Sequence, residues 1–535
     1  METLHLHDEL ALPGSERIAV ETSFGKVTGG RARNGTIHFL EVPYAEYTGR
    51  WKDPLPLPSD FRYDDREYVQ EASYCAQPTN DGQAAGWAFK DKVGYGKPSE
   101  NPLFLNIGIP AGFDPTSAQT QYPVKIYIHG GFLQFGSPHT VSSQPQYVCA
   151  EQNVVWVSVG YRVSVLGFLA CDEPKIDGNY GFKDQWQALL WIEKNIARFG
   201  GDPNNVQLTG LSAGAHSVHQ ILHHVSRLPP GQNSPFQSAN LQSNALLISP
   251  RTPSELRPQL HTLCSKLDLS PDSPNILDDL RAVPISTLMD LISSDDLGEY
   301  GTFRGCLDGE WMKTTPDPME WQKSGELAKG LREKGVRSVL LGHVKDEWYL
   351  YSLAHPVPTP SSIAPALLRY FPPSLIDPFL SQHSHHLNPS MTPHEILKFF
   401  GDALSDFQVH LPVRILHRDL HDAGFPVVRY AIEWAPEGWK ALGKYITHGA
   451  DRPIWMYHLP SLSSSSDQAI AKSWLERVDA ETKAAEQAGR PLESEKTVLT
   501  LRSGGEVDWM KDGEWMSVMG LEEVVGTKEK RYVWW

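Results

Sequence analysis

Three short runs, VKIYIHG (124–130), VVWVSVGY (154–161) and NVQLTGL (205–211), are almost wholly apolar and rich in β-branched and aromatic residues, the pattern of buried central strands. Between the last two lies DQWQALLWIEKNIARFG (184–200). There Trp186, Leu189, Leu190, Ile192 and Ile196 recur at largely helical spacing, and Gly200-Gly201 ends the run. Strand-like and helix-like stretches alternate along much of the chain, which predicts an α/β fold with a mostly parallel central sheet flanked by helices. Near the start, GKVTGG and TIHFLEV flank Asn34-Gly35, a pair favoured in two-residue hairpin turns. Asn34-Gly35-Thr36 also spells an N-glycosylation acceptor, but the turn is the preferred reading. HPVPTPSS (355–362) and SLSSSSD (461–467) read as surface loops or cap boundaries, and the sequence shows no internal repeat. The expected organisation is one domain over 14–535, with helical cap insertions at roughly 250–335 and 355–440 and an N-terminal extension over 1–13.

The third strand-like run leads into GLSAG, a G-x-S-x-G centred on Ser212. In a nucleophile elbow, Gly210 and Gly214 remove bulk around a sharp strand-to-helix turn, so the serine hydroxyl projects from the sheet edge. The pentapeptide alone is weak evidence; its surroundings give it weight.

Composition narrows the field. At 535 residues, 40% hydrophobic and 21% charged, the chain can bury a large core. Its net charge of -16, without runs of Lys or Arg, argues against a nucleic-acid partner. Cys75, Cys149, Cys171, Cys264 and Cys306 are odd in number, far apart and form no CxxC, so they suggest small buried hydrophobes. The first residues, METLHLHDELALPGSER, contain Glu2, Asp8 and Glu9 and no continuous apolar stretch of the secretory kind. No apolar run approaches the roughly 18 to 20 residues of a membrane span, and KRYVWW is no lipidation or peroxisomal signal. A soluble cytoplasmic protein is expected.

Longer segments then carry a resemblance. VPYAE (42–46), HGGFLQFGS (129–137), YRVSVLGFL (161–169) and the run from Asn179 to Val218 resemble the type-B carboxylesterase family, the cholinesterase-like and fungal-lipase-like branch of the α/β-hydrolase fold. The resemblance implies a serine esterase. A serine hydroxyl needs an imidazole to take its proton and a carboxylate to hold that imidazole, in the chain order Ser, acid, His. SVLLGHVKDEWYLY (338–351) resembles the acid motif, with Glu347 in the acid's place and neighbouring Asp346 as the alternative. YITHGADRPIWMY (445–457) resembles the histidine motif, with His448 as base. Gly130, Gly131, Phe132 and Ala213 are the candidate backbone donors of an oxyanion hole. His216, His219, His223 and His224 follow Ser212, but with no patterned carboxylate ligand they read as polar packing residues, and no metal or cofactor is expected.

Four departures stand out against the family pattern. Phe132 replaces a usual third glycine of HGGGF, Leu211 an acidic residue before the serine, and Trp348 the glycine after the acid. All three add apolar bulk near the expected cleft, either as packing drift or as a remodelled pocket lined by Leu133, Phe135, Leu211 and Trp348. The fourth is Pro102, which stands where secreted members usually carry the cysteine that pairs with one corresponding to Cys75, in keeping with a reducing interior. The reading is a hydrolase of a small or medium, apolar carboxylic ester acting through an acyl-enzyme. Its alternatives are acyl transfer or cyclisation on the same triad, and a non-catalytic binding role.

Overall fold

The computed structural model describes residues 5–79, 88–116, 121–385, 387–440 and 445–525. Twelve strands form one sheet: β1 (Arg17–Thr22), β2 (Gly25–Arg31), β3 (Ile37–Pro43), β4 (Phe104–Ile109), β5 (Tyr122–Ile128), β6 (Val155–Val159), β7 (Gly201–Leu211), β8 (Ser238–Gln242), β9 (Ser338–Val344), β10 (Val427–Ile432), β11 (Thr497–Leu501) and β12 (Val507–Lys511). Their spatial order is β1-β2-β3-β4-β6-β5-β7-β8-β9-β10-β11-β12. Every neighbouring pair from β6 to β11 is parallel, and antiparallel strands complete both edges. Burial on both faces is why the central strands lack polar alternation; all residues of β6 and β9 are buried.

The predicted helix runs from Tyr180 to Asn195 and tightens into a 3-10 turn, Ile196–Phe199, before Gly200 turns the chain at φ 77°. A buried ion pair ties this helix to the loop after β6. Arg162 donates from Nε and Nη2 to Asp184 (2.8 and 2.6 Å), while its backbone N–H meets the same carboxylate at 3.0 Å. Such a fork is short, directional and shielded from water.

Three expectations need adjusting. The turn at Asn34-Gly35 is wider than two residues, because the last cross-strand bond, from the Ala32 N–H to the Thr36 carbonyl at 2.8 Å, leaves three residues between. Gly35 takes the left-handed position (φ 89°), while Asn34 accepts from the Thr36 N–H and donates to the Gln146 carbonyl, so its amide is engaged within the fold. From residue 5 onward the N-terminal segment packs on the domain: helix Leu6–Leu10 buries Leu6 and Leu10 in a small apolar cluster with Ala32, Leu40 and Val69. The second insertion ends before 440, since Val427–Ile432 is a central strand. Helices do occupy both connections, from Arg257 to Glu333 before β9 and from Ile363 to Asp422 after it. Among the described residues, no helix is long and apolar enough to cross a membrane.

Beyond β10, helix Ser465–Ala488 lays Trp474 edge-on against Tyr430 and Trp455. The hairpin β11–β12 follows and delivers Asp512 to two buried guanidiniums. Arg414 reaches it at 2.9 and 3.1 Å and Arg429 at 2.6 Å. Burial opposes the charge on Asp512, but its bonds to Arg414 and then Arg429 prevail and hold the carboxyl at about 2. A depressed folded-state pKa stabilises the fold above the ordinary value of 3.8, and this contribution fades as pH falls toward 2. Asp512→Asn is therefore expected to lower unfolding free energy at neutral pH by about 3 to 5 kcal/mol. It should also flatten the loss of stability between about pH 4 and pH 2. Denaturant titrations across that range check both, and equal curves for variant and wild type would contradict the role.

Candidate active site

At the end of β7 the chain turns abruptly into helix Ala213–Ser226, and Ser212 sits on the corner with φ 59° and ψ -125°. Such a backbone is strained for a residue with a side chain and persists only where its surroundings enforce it. They do so through three glycines. A Cβ on Gly210 would lie 2.2 Å from the Gly214 carbonyl, one on Gly214 would lie 2.0 Å from the Ile128 carbonyl oxygen, and one on Gly130 would lie 2.6 Å from the Leu211 oxygen. Strand, turn and helix therefore approach closer than any side chain permits. The Ser212 N–H is spent on the Gln242 carbonyl at 2.7 Å, fixing the corner to β8.

The loop after β5 brings Gly130, Gly131 and Phe132 to the same corner. Gly131 turns at φ 120° with its Cα packed on the Phe135 carbonyl, and Phe132 and Leu133 follow at φ 55° and 66°. Phe132 thus adopts a conformation that a glycine would take without strain. Its ring is held by Phe135, Tyr351 and Tyr370 at centroid distances of 5.8 to 6.4 Å. Ala213 opens a helix whose first N–H groups lack intrahelical partners.

After β9, Glu347 is completely buried, and its Oε1 accepts from the Val344 N–H at 3.0 Å. Its Oε2 meets His448 Nδ1 at 2.5 Å. Burial alone would raise this carboxyl, but the charge of the imidazole and its hydrogen bond overcome that and lower it. Asp346 points elsewhere: its Oδ2 and its N–H bind the N–H and carbonyl of Ile446, both at 2.9 Å. Asp346 therefore clamps the segment carrying His448, as does Leu350 by donating to Thr447 Oγ1 at 3.0 Å. The other imidazole nitrogen, Nε2, is buried and has no partner among the described residues, and His448 and Ser212 both line one cleft.

That cleft, a cavity of about 200 Å³ open to solvent, is lined by Phe132, Phe135, Leu211, Leu350, Leu353 and Trp439, with Gly130 and Gly131 beside Ser212. Two of the expected pocket residues lie outside it. Trp348 turns away from the cleft onto Tyr445, Tyr349 and His394, because it begins the short helix Trp348–Ser352 while Glu347 faces inward. Leu133 is buried and instead borders a smaller cavity together with Ala213.

Of the four histidines after the serine, three pack as expected. His219 is bonded to Gln322 and the Leu246 N–H, His223 stacks on His219, and His224 stacks on Trp311 while bonding its carbonyl. His216 differs, since it lines the smaller cavity. All five cysteines are free and buried. Sequence reasoning passed over Asp451, although it is the acidic residue of HGAD. It is fully buried and accepts from Trp455 Nε1 at 2.8 Å; burial pushes its carboxyl up to about 6. It also passed over Asn244, Arg304 and Gln408, which enter the smaller cavity from other elements and stand in no local motif.

A serine at a strained strand-to-helix corner, beside a carboxylate-bound imidazole and glycine-flanked N–H donors, defines an α/β-hydrolase site. The fold agrees: a solved structure named PNB esterase superposes with a TM-score of 0.72 over 94% of this chain and 99% of its own, at 22% identity. The sequence profile of the Carboxylesterase family matches residues 16–473, so the chain belongs to the carboxylesterase family, a family of carboxylic-ester hydrolases. It is similar to an uncharacterized esterase/lipase of Schizosaccharomyces pombe, 30% identical over 451 residues and covering 80% of each chain. A carboxylic ester hydrolase of Gibberella moniliformis is 30% identical over 475 residues, 82% of each chain. Liver carboxylesterase B-1 of Rattus norvegicus is 29% identical over 443 residues, 78% of this chain and 76% of that one.

Because the Gly214 Cα rests on a backbone carbonyl that cannot swing aside, Gly214→Ala is expected to destabilise the protein by about 3 kcal/mol. The midpoint of chemical unfolding measures this, and an unshifted midpoint would show that the corner tolerates a side chain.

Proposed function

We propose that the protein hydrolyses a carboxylic ester through an acyl-enzyme on Ser212. The observation that carries this reading is the contact of His448 Nδ1 with buried Glu347, together with an Nε2 that has no partner among the described residues, in the cleft that Ser212 also lines. In this reading Ser212 Oγ attacks the ester carbonyl carbon while His448 Nε2 takes its proton. Glu347 keeps the proton-bearing nitrogen toward itself and stabilises the imidazolium. The carbonyl oxygen gains negative charge and is met by the N–H groups of Gly131, Phe132 and Ala213 in the corner that Gly130 opens. The C–O bond then breaks, the alcohol leaves with the proton from His448, and the acyl group stays on Ser212. Water, deprotonated by His448, attacks the acyl-enzyme; the carboxylic acid departs and the proton returns to Ser212. The apolar side chains of the main cleft suit a small or medium ester whose alcohol portion is apolar.

Ser212→Ala is expected to abolish hydrolysis across a panel of esters while leaving the thermal unfolding profile unchanged, and an organophosphonate probe should label wild type at Ser212 alone. Activity that persists in the alanine variant, or labelling of a different serine, would remove the assignment.

Glu347→Gln should lower kcat by about 10³- to 10⁴-fold, because an amide neither stabilises the imidazolium nor enforces the tautomer. Asp346→Asn touches only the clamp on Ile446 and should cost far less. Steady-state kinetics of the two variants decide between them: the reverse ranking would make Asp346 the acid.

A further inference from the structure

The N-terminal residues hold part of the wall of the main cleft. Lys92 and Val93, at the end of helix Phe89–Val93, line that cleft together with Thr140 and Ser143. The two stretches adjoin, since Thr140 Oγ1 donates to the Lys92 carbonyl at 2.9 Å and Ser137 Oγ to the Val93 carbonyl at 3.3 Å. His5 and Leu6 reach both of them. His5 Nε2 meets Asp91 Oδ1 on the helix at 2.9 Å, and the Leu6 N–H donates to Oε1 of Gln144, the residue after Ser143, at 2.6 Å. Asp8 adds a third tie by accepting from Tyr95 Oη at 2.6 Å. These residues precede the stretch 16–473 that marks the family.

His5 is 2% exposed and lies between two carboxylates, with Nε2 on Asp91 and Nδ1 at 3.5 Å from Glu71 Oε2. Glu71 cannot withdraw. Its Oε2 accepts from the Tyr95 N–H at 3.1 Å, and Gly94 packs so closely that a Cβ there would lie 2.6 Å from the same oxygen. The Gln144 amide nitrogen stands 3.3 Å from both His5 Nδ1 and Glu71 Oε1. On the far side of Glu71, His139 accepts from the Asn106 amide at Nδ1 (2.9 Å) and donates from Nε2 to Glu41 (3.1 Å), so it brings no positive charge to Glu71. Tyr95 meets the His5 ring edge-on at 4.6 Å, with Lys90 over the Tyr95 ring at 5.6 Å, and His7 accepts from the Glu71 N–H at 3.0 Å. His5 is therefore the one imidazole that two carboxylates face. Burial opposes its charge, but Glu71 and then Asp91 overcome this and raise its pKa above the ordinary 6.5.

We propose that His5 is a positioning residue: as an imidazolium between Glu71 and Asp91 it fastens helix Phe89–Val93 to the N-terminal segment, and so sets how tightly the main cleft holds the alcohol portion of a long ester. The proposal rests on the hydrolytic reading of Ser212 and adds a control of affinity to it. An imidazolium has an N–H for each carboxylate, whereas the neutral ring has one and turns a lone pair on the other carboxylate. The fastening is thus complete below the ordinary value of 6.5 and is lost as pH rises through the higher value of the folded state.

Octyl acetate and ethyl acetate share an acyl group and differ in the reach of the alcohol. His5→Gln should lower the octyl-to-ethyl ratio of kcat/KM by about tenfold, the scale of a hydrogen bond to a charged group, with the loss in KM for octyl acetate. Asp91→Asn, at a half-buried position, should do the same, and the double variant should lose hardly more, because the two residues act as one contact. Raising the pH from about 6 to about 9 should lower the wild-type ratio and leave that of His5→Gln flat. A ratio unmoved by either substitution, or a pH dependence retained in His5→Gln, overturns the proposal. Hydrogen exchange supplies a readout that needs no turnover: amides of residues 89–95 should exchange faster in His5→Gln than in wild type while those of β5, β7 and β8 hold, and equal protection overturns the proposal. Cleavage of both esters with ratio and protection unmoved would defeat the fastening and leave the esterase reading intact. Faster exchange in the variant, with neither ester cleaved by wild type, would do the opposite.

Discussion

The close approach of backbone at Gly210, Gly214 and Gly130 is the constraint on which the rest of the site depends. With no Cβ at these positions, the first turn of the helix from Ala213 can rest on the end of β5, and Ser212 is forced into a conformation that an unrestrained serine avoids. The same contact sets the separation of the corner from the loop at Gly131 and Phe132. Strain at one residue is thus offset by the pairing of β5, β7 and β8, which are central strands with little room to relax.

What the sequence revealed follows from how local each cause is. The three central strands and the helix before Ser212 were legible because their patterns lie within single segments, and the motifs that contain Ser212 and His448 are likewise local. Glu347 was preferred to its neighbour Asp346 on the motif alone; adjacent residues in a turn face different ways, and their partners, His448 for one and Ile446 for the other, distinguish them. Trp348 was misplaced for a related reason: its departure from the family pattern was visible, its direction was not. Arg304, Asn244 and Gln408 gave no signal because each comes from a different part of the chain and their meeting is made by tertiary packing. The end of the second insertion was misjudged where the strand Val427–Ile432 followed directly on helical segments.

Phe132 acquires a meaning that neither expectation for it contained. It is packed by neighbouring rings, as a core residue would be, and at the same time it borders two spaces of opposite character. Apolar side chains dominate one side, and amides, an imidazole and a guanidinium the other. A glycine there would satisfy the backbone and leave nothing between the two.

The cluster of Arg414, Arg429 and Asp512 bears on where this domain ends. The family profile stops at 473, one residue before Trp474 enters the core, and well before β11, β12 and the carboxylate that neutralises two buried arginines. The stretch that marks kinship is therefore shorter than the stretch that folds. A fragment cut to the limits of the family would carry every residue of the proposed triad, yet it would expose the edge of β10 and strand two cations in its interior.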